Sequence, residues 1–310
     1  MERRHYYGES KKEEVYRSKI SRTRGDKVFD ADLCCDDGSL CLIVAYPIWF
    51  VIIASFSDPY YITTGGVLFA PKGVSLNAYK LLLQRSDVWI GYRNSIFYTV
   101  VGTCLNMIVT LPAAYALSRK QLAGRKLFIM LILFTMFFSG GMIPTYILVK
   151  GLHLTDTLWA LILPCAASAY NIVVARTYFE NSIPKELEEA ATIDGCSNFK
   201  VFFRIVLPLS APIVAVMTLF YGISHWNSYF DGLIFSNFPE SYPLASFLYT
   251  VVVQRDMSLL SMEQIRELSL VDDRTIRCAQ IFIALIPIML IYPFAQKYFV
   301  KGMTVGSVKG

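Results

Sequence analysis

Residues 186–212 read ELEEAATIDGCSNFKVFFRIVLPLSAP, a charged, helix-prone stretch set directly against an apolar one. With the residues just before it, this is a helix–turn–helix. Ser182 and Pro184 open the first helix, with Glu186, Glu188 and Glu189 near its positive amino end. Leu187, Ala190 and Ala191 recur at helical spacing as a shallow apolar face. Asp194-Gly195 stops the helix, because glycine takes the left-handed conformation past a helix end at little cost. Ser197 can cap a second helix on which Phe199, Phe202, Phe203 and Val206 recur, leading into an apolar segment that begins near Ile205. Such an element suits docking into a groove of another protein. The alanines permit close approach, the carboxylates fix orientation, and the attached segment transmits displacement. The alternative is a helix resting on lipid, but those pair basic polar faces with bulky apolar ones, and this one is acidic with alanines.

The rest of the chain says what that element is attached to. Of 310 residues, 55% are hydrophobic and only 17% charged, and the mean hydropathy is +0.45. A soluble domain of this length needs a larger charged fraction to cover its surface. Apolar runs long enough for a bilayer occur at Ser95–Leu117, Leu127–Val149, Thr157–Phe179, Ile205–Trp226 and Ile276–Val300. A shorter run, Leu40–Phe56, reaches roughly 25 Å against a hydrocarbon core of about 30 Å. The expectation is an all-α polytopic membrane protein of about six transmembrane helices. The preceding FDADLCCDDGSL carries Asp30, Asp32, Asp36 and Asp37, which hydrocarbon does not accept, so the first helix is expected to start near Ser39 or Leu40.

Lysine and arginine set the orientation. They crowd the amino-terminal tail and the loop SRKQLAGRK at 118–126, whereas KGLHLTD holds one lysine and 227–275 is net acidic. Both termini and 180–204 then fall on the cytoplasmic side, with 57–94 and 227–275 outside. The hydrophilic start predicts no cleaved signal peptide, and the tail 1–28 reads as mobile or lying on the membrane surface. The chain divides into a cytoplasmic tail and polar flank (1–39), the first span with an outer loop (40–94), a membrane core (95–300) and a short cytoplasmic tail (301–310). In the outer loop, Ser75 can cap a helix from Leu76 to Gln84, and the loop suits covering a pore mouth or meeting a partner. In the third span, Ser139-Gly140-Gly141 and Pro144 mark close packing or a kink, or else a hinge or pore-lining break. Asn106, Asn171 and Thr103 either bond between helices or line a polar path.

Several chemistries are excluded. The net charge of +5 sits mostly in cytoplasmic flanks, where lipid headgroups accept it, so it implies no nucleic acid. Seven scattered cysteines without a CxxC pair, and three histidines not spaced with another ligand, build neither a disulfide framework nor a metal site. No Asp or Glu lies inside the runs drawn above, which counts against a stand-alone ion-coupled transporter. No GxxxxGK[ST] loop is present, so ATP phosphates have no P-loop here, and no nucleophile–base pair suggests a membrane enzyme. The chain is not expected to bind a cofactor, and its energy comes from elsewhere.

The quoted stretch resembles the EAA loop of permease subunits of binding-protein-dependent ABC importers. The matching positions are Glu189, Ala190, Ala191, Gly195, Ile205, Leu207 and Pro208, with Asp194 before the glycine. YRNSIFYTVVGT, LPAAYALSRK, MFFSGGMIPTY and HWNSYFDGLI, with the closing YPFAQKYFVKGMTVGSVKG, are similar to the carbohydrate (MalG-like) class and its LplC/YtcP-like branch. The VGSVKG end disfavours the amino-acid and metal-ion importers of the same superfamily. The resemblance implies a type I ABC importer (MetI-like) permease fold in a bacterial cell membrane. It implies as partners a second homologous permease, an ATPase dimer that binds the ATP, an extracellular solute-binding lipoprotein and an oligosaccharide. The EAA loop at 182–208 would then couple to the ATPase through Glu189, Ala190, Ala191, Asp194 and Gly195. Two places depart from the family: Cys196 stands where alanine is frequent, and DADLCCDDGS replaces a longer apolar run.

Overall fold

The computed structural model describes residues 24–252 and 273–307. The tail before Arg24, the 253–272 part of the acidic segment and the last three positions of VGSVKG lie outside the described residues. Every regular element among the described residues is helical. The first, α1 (Arg24–Ser55), starts well before the expected Ser39 or Leu40. A helix satisfies its own backbone, so nothing forces it to end where hydrocarbon ends. Asp32, Asp36 and Asp37 are exposed along this extension, and Ser39 Oγ donates to the Asp36 carbonyl.

The loop after α1 is ordered by two short helices, α2 (Pro59–Thr63) and α3 (Asn77–Gln84). Ser75 Oγ accepts from the Asn77 N–H at 3.4 Å, close to the expected cap. The loop folds back on α1, with the Trp49 indole donating to the Phe69 carbonyl at 3.0 Å.

The bundle is organised around α4 (Ser86–Ser118), which packs against helices from the fourth and fifth apolar runs and against Leu244–Val252. Hydropathy alone suggests unbroken helices, and three runs depart from that. The third divides into α5 (Arg125–Phe137) and α6 (Met142–Gly151), bent by 113° across Phe138–Gly141. Of the readings open for Ser139-Gly140-Gly141, a break is the one found, with Gly141 at φ +85°. The fourth divides into α7 (Leu158–Ile162) and α8 (Ala169–Ser182), with Leu163–Ser168 unwound. The fifth divides into α10 (Asn198–Leu209) and α11 (Ala211–Trp226), bent by 84° at Ser210 between Pro208 and Pro212. Proline lacks the N–H that a continuous helix would use here. Between them lies α9 (Lys185–Ile193), and after α11 come α12 (Tyr229–Phe235), α13 (Leu244–Val252) and α14 (Asp273–Ser307). By length and composition, parts of α1, α4 and α14 can each cross a bilayer, and the α5–α6 and α10–α11 pairs pass the same test together.

After Trp226 the chain does not leave the bundle at once, as the expected end of the fifth span implied. Ile234 and Phe235 of α12 pack with Tyr98, Ala160, Leu161 and Ile162, and only at Asn237 does the chain meet Asp156 in the neighbouring loop. This keeps Asp231, in the first turn of α12, beside the bundle.

The α4–α11 contact is close because both sides are small or polar. Asn106 is fully buried and bonds between elements, to His225 and to the Cys165 carbonyl, whereas the buried Thr103 hydroxyl finds no partner among the described residues. A Cβ added at Gly102 would come within 2.5 Å of His225 Nε2. The Gly102→Val protein is therefore expected to lose about 1–3 kcal/mol or more from overpacking. Thermal unfolding in detergent checks this, with Gly151→Val, whose Cβ meets nothing within 4 Å, as the control.

Candidate functional site

One end of the bundle is closed by a core of Leu111, Ala114 and Leu117 from α4, Ile172, Ala175 and Phe179 from α8, and Ile213 and Met217 from α11. Ala191 of α9, Val201 and Phe202 join the same core, so the opening motif is built into it.

Local chemistry explains the shape of α9. Pro184 precedes its first turn with extended backbone angles. At its end, the Cys196 N–H bonds to the Ala191 carbonyl at 2.9 Å and the Gly195 N–H to the Thr192 carbonyl at 3.0 Å. These are the two bonds of a Schellman closure, and Gly195 supplies the left-handed residue it needs, at φ +77°. Cys196 packs on the cluster that contains Ala191, the apolar contact that accompanies such a closure. A small side chain suffices, so cysteine in place of alanine preserves the element. Ser197 then caps α10, its Oγ accepting from the Lys200 N–H at 3.4 Å.

Not every expected apolar face is buried. Leu187 and Ala190 are exposed, and of that trio only Ala191 enters the core. On α10, Phe202 and Val206 are buried while Phe199 and Phe203 are exposed. Residues 202–206 form a turn of π-helix, which shifts the register so that the four do not share one face. Among the expected coupling residues, Glu189, Ala190, Asp194 and Gly195 are exposed at this end of the bundle. Ala191 is 6% exposed and packs into the core that holds the helix down.

A network of charges fastens the element to α4. Arg119 ion-pairs with Glu188, and its guanidinium lies 4.5 Å from the centre of the Tyr115 ring, which packs on Phe202 and Phe179. Burial pushes the Glu188 carboxyl above the ordinary carboxylate range, and Arg119 pulls it back. Beside it, Glu180 bridges Arg125 at 2.9 Å and Arg176 at 2.7 Å. Both arginines also donate to the Leu117 carbonyl, one of the acceptors that the end of α4 leaves unpaired. The sequence reading treated Arg119 and Arg125 as orientation charges and missed this role. The available signal was the basic 119–126 loop falling on the same side as the acidic 180–189. Between these parts runs a groove of about 1180 Å³, lined among others by Tyr115, Lys120, Glu189, Ile193 and Phe199. Ile193 and Phe199 are the most exposed apolar side chains of the element, at 86% and 78%.

A family profile described as "Binding-protein-dependent transport system inner membrane component" matches residues 88–305. The chain belongs to this family. It is therefore a multi-pass protein of the cell membrane and the non-catalytic, permease component of an ABC transporter, working with an ATPase, a binding protein and a partner permease. Among curated relatives, the permease is 40% identical over 269 residues to YtcP of Bacillus subtilis, a polygalacturonan/rhamnogalacturonan transport system permease, covering 87% of this chain and 94% of that one. It is 39% identical over 291 residues to LplC of the same organism, covering 94% and 98%. It is 28% identical to the arabinooligosaccharide permease AraQ of Halalkalibacterium halodurans, covering 87% and 93%. Among solved structures, it matches a chain of a bacterial ABC transporter that imports the acidic polysaccharide alginate, with a TM-score of 0.82 and 33% identity, over 91% of this chain and all of that one. The all-α, MetI-like fold of the permease follows from the family and this likeness.

Proposed function

We propose that this permease is half of the pore of an ATP-driven importer for polysaccharide-derived oligosaccharides. The other half is a second, homologous permease. An ATPase dimer sits beneath, both termini of this chain face the cytoplasm, and an extracellular lipoprotein delivers the sugar. Support for the sugar class comes from the relatives, whose cargoes are rhamnogalacturonan, arabinooligosaccharide and alginate. The observation that carries the coupling role is α9 itself. Its exposed Glu189, Ala190, Asp194 and Gly195 stand beside a groove, and its buried Ala191 and paired Glu188 fasten it to α4. Closure of the ATPase pair pulls on α9, and the Arg119 link passes the displacement to the central helix.

The test is to purify this chain with the products of its neighbouring genes, reconstitute the complex in liposomes and assay hydrolysis with binding protein and candidate oligosaccharides. Sugar-stimulated hydrolysis that requires this subunit supports the reading. A chain that purifies alone and accumulates sugar on a proton gradient overturns it. Within the complex, Glu189→Lys is expected to lower sugar taken up per ATP hydrolysed at least about tenfold, the scale of one lost charge-assisted contact. An unchanged ratio removes Glu189 from the coupling surface.

A further inference from the structure

Two interruptions between helices lie beside Asn106. Leu163–Ser168 separates α7 from α8, and Asn227-Ser228 separates α11 from α12, where the Tyr229 N–H turns back to the Asn227 carbonyl at 2.8 Å. Asn106 joins the two interruptions. Its amide nitrogen donates to the Cys165 carbonyl in the first, and its amide oxygen lies 2.6 Å from Nε2 of His225, just before the second. Asn106 is midway between Asn94, bonded to the outer Glu240 and Tyr242 carbonyls, and Ser118 at the inner end. The junction is therefore close to the bilayer midplane.

Asp231 faces this junction. It precedes Ile234 and Phe235 by one helical turn, and those two pack on Ala160–Ile162 of α7. On the same face, one turn deeper, Asp231 comes within electrostatic range of the Cys165 thiol. Its carboxylate makes no hydrogen bond or ion pair with any described residue, and the side chain is only half-buried. A carboxylate at this depth does not face hydrocarbon, so its open side faces the aqueous path between the permease halves. Asn227 beside it is exposed as well. Carboxylate, amide and free backbone carbonyls are the acceptors that bind sugar hydroxyls, and midplane sites on interrupted helices recur among transporters.

We propose that Asp231, with Asn227 and the unwound Leu163–Ser168 backbone, binds hydroxyls of a glycosyl unit in transit, making this subunit a direct substrate contact. The proposal rests on the oligosaccharide-importer reading above. In that role Asp231→Asn keeps an acceptor of the same shape, whereas Asp231→Ala removes it. The experiment uses the complete reconstituted transporter, trapped with vanadate. Radiolabelled arabinooligosaccharides, rhamnogalacturonan fragments and alginate oligosaccharides serve in turn as probes. Wild type is expected to retain one of them in the membrane complex. Asp231→Ala should lower the sugar retained per trapped nucleotide at least tenfold, and Asp231→Asn should restore most of it. Equal retention in all three overturns the site. If Asp231→Ala does not assemble, a variant keeping only Cys165, which is exposed, reports instead. Its reaction with a water-soluble maleimide should slow at least fivefold when sugar is present during trapping, and an unchanged rate overturns the proposal. A wild-type complex that responds to none of these sugars removes the importer reading itself. Stimulation by sugar with normal retention in Asp231→Ala removes only the site.

Discussion

Gly195→Val is expected to weaken binding of the ATPase by roughly 5- to 150-fold while leaving the chain inserted in the membrane. The argument separates backbone from space. A Cβ at Gly195 would meet nothing within 4 Å, so no clash opposes the substitution. The cost comes from φ +77°, a left-handed conformation that strains a β-branched residue by about 1–3 kcal/mol. Relaxing that strain means opening the Schellman closure, which turns the exposed Asp194 and Glu189 away from their present direction. At about 1.4 kcal/mol per factor of ten, the strain converts to a fall in affinity of roughly 5- to 150-fold. Asparagine visits the left-handed region more readily, so Gly195→Asn should fall between glycine and valine. Pull-down of the ATPase from membranes, titrated to give an affinity for each variant, is the measurement. Equal affinities for glycine, asparagine and valine would show that the turn does not position the docking surface.

That turn was legible in the sequence because its determinants are neighbours. Pro184, Gly195 and Ser197 each act on backbone within a few residues, and each acts where the pattern places it. The membrane-spanning class was equally legible, since hydropathy sums over a whole window. The same summation hides interruptions. Leu163–Ser168 is unwound where Asn106, far away on α4, donates its amide N–H to the Cys165 carbonyl, and no local average contains that partner. Pro164 was the visible hint. The early start of α1 was missed for the converse reason: aspartates forbid hydrocarbon but not helix. The apolar run ends at Trp226, and hydropathy gave no sign that Ile234 and Phe235 would hold the next helix against α7. The Arg119–Glu188 and Arg125–Glu180 pairs also join residues remote in sequence. Charge sign alone announced them as facing the same side.

Arg119→Leu should uncouple the permease even though Arg119 touches no expected partner surface residue of α9 except through Glu188. Side chains of the pair are 21% and 15% exposed, so neither charge is well solvated. Glu188 Oε1 and Arg119 Nη2 are already buried without a partner, which leaves the pair only partly satisfied. Removing the guanidinium strands a half-buried carboxylate and also strips the cation from the Tyr115 ring. The expected loss in local stability lies between that of a surface pair and a buried one, about 1–3 kcal/mol. Its pH dependence has a definite sign. Burial already raises the Glu188 carboxyl above its unfolded value, so the native element binds the proton more tightly than the unfolded chain. Stability of α9 therefore falls as pH rises through the interval above the ordinary carboxylate range, and levels off beyond the folded value. Without Arg119 that value moves further up, and the fall extends to higher pH. Hydrogen exchange across residues 185–196, followed from acid to neutral pH in wild type and Arg119→Leu, measures both effects. Glu188→Gln removes the titration and should flatten the profile in either background. The Arg119→Glu, Glu188→Arg double variant restores an ion pair but not the Tyr115 contact, so it should recover part of the lost protection and part of the sugar taken up per ATP. Full activity of Arg119→Leu with unprotected α9 amides would mean that coupling reaches α4 through the Phe202–Tyr115 packing alone.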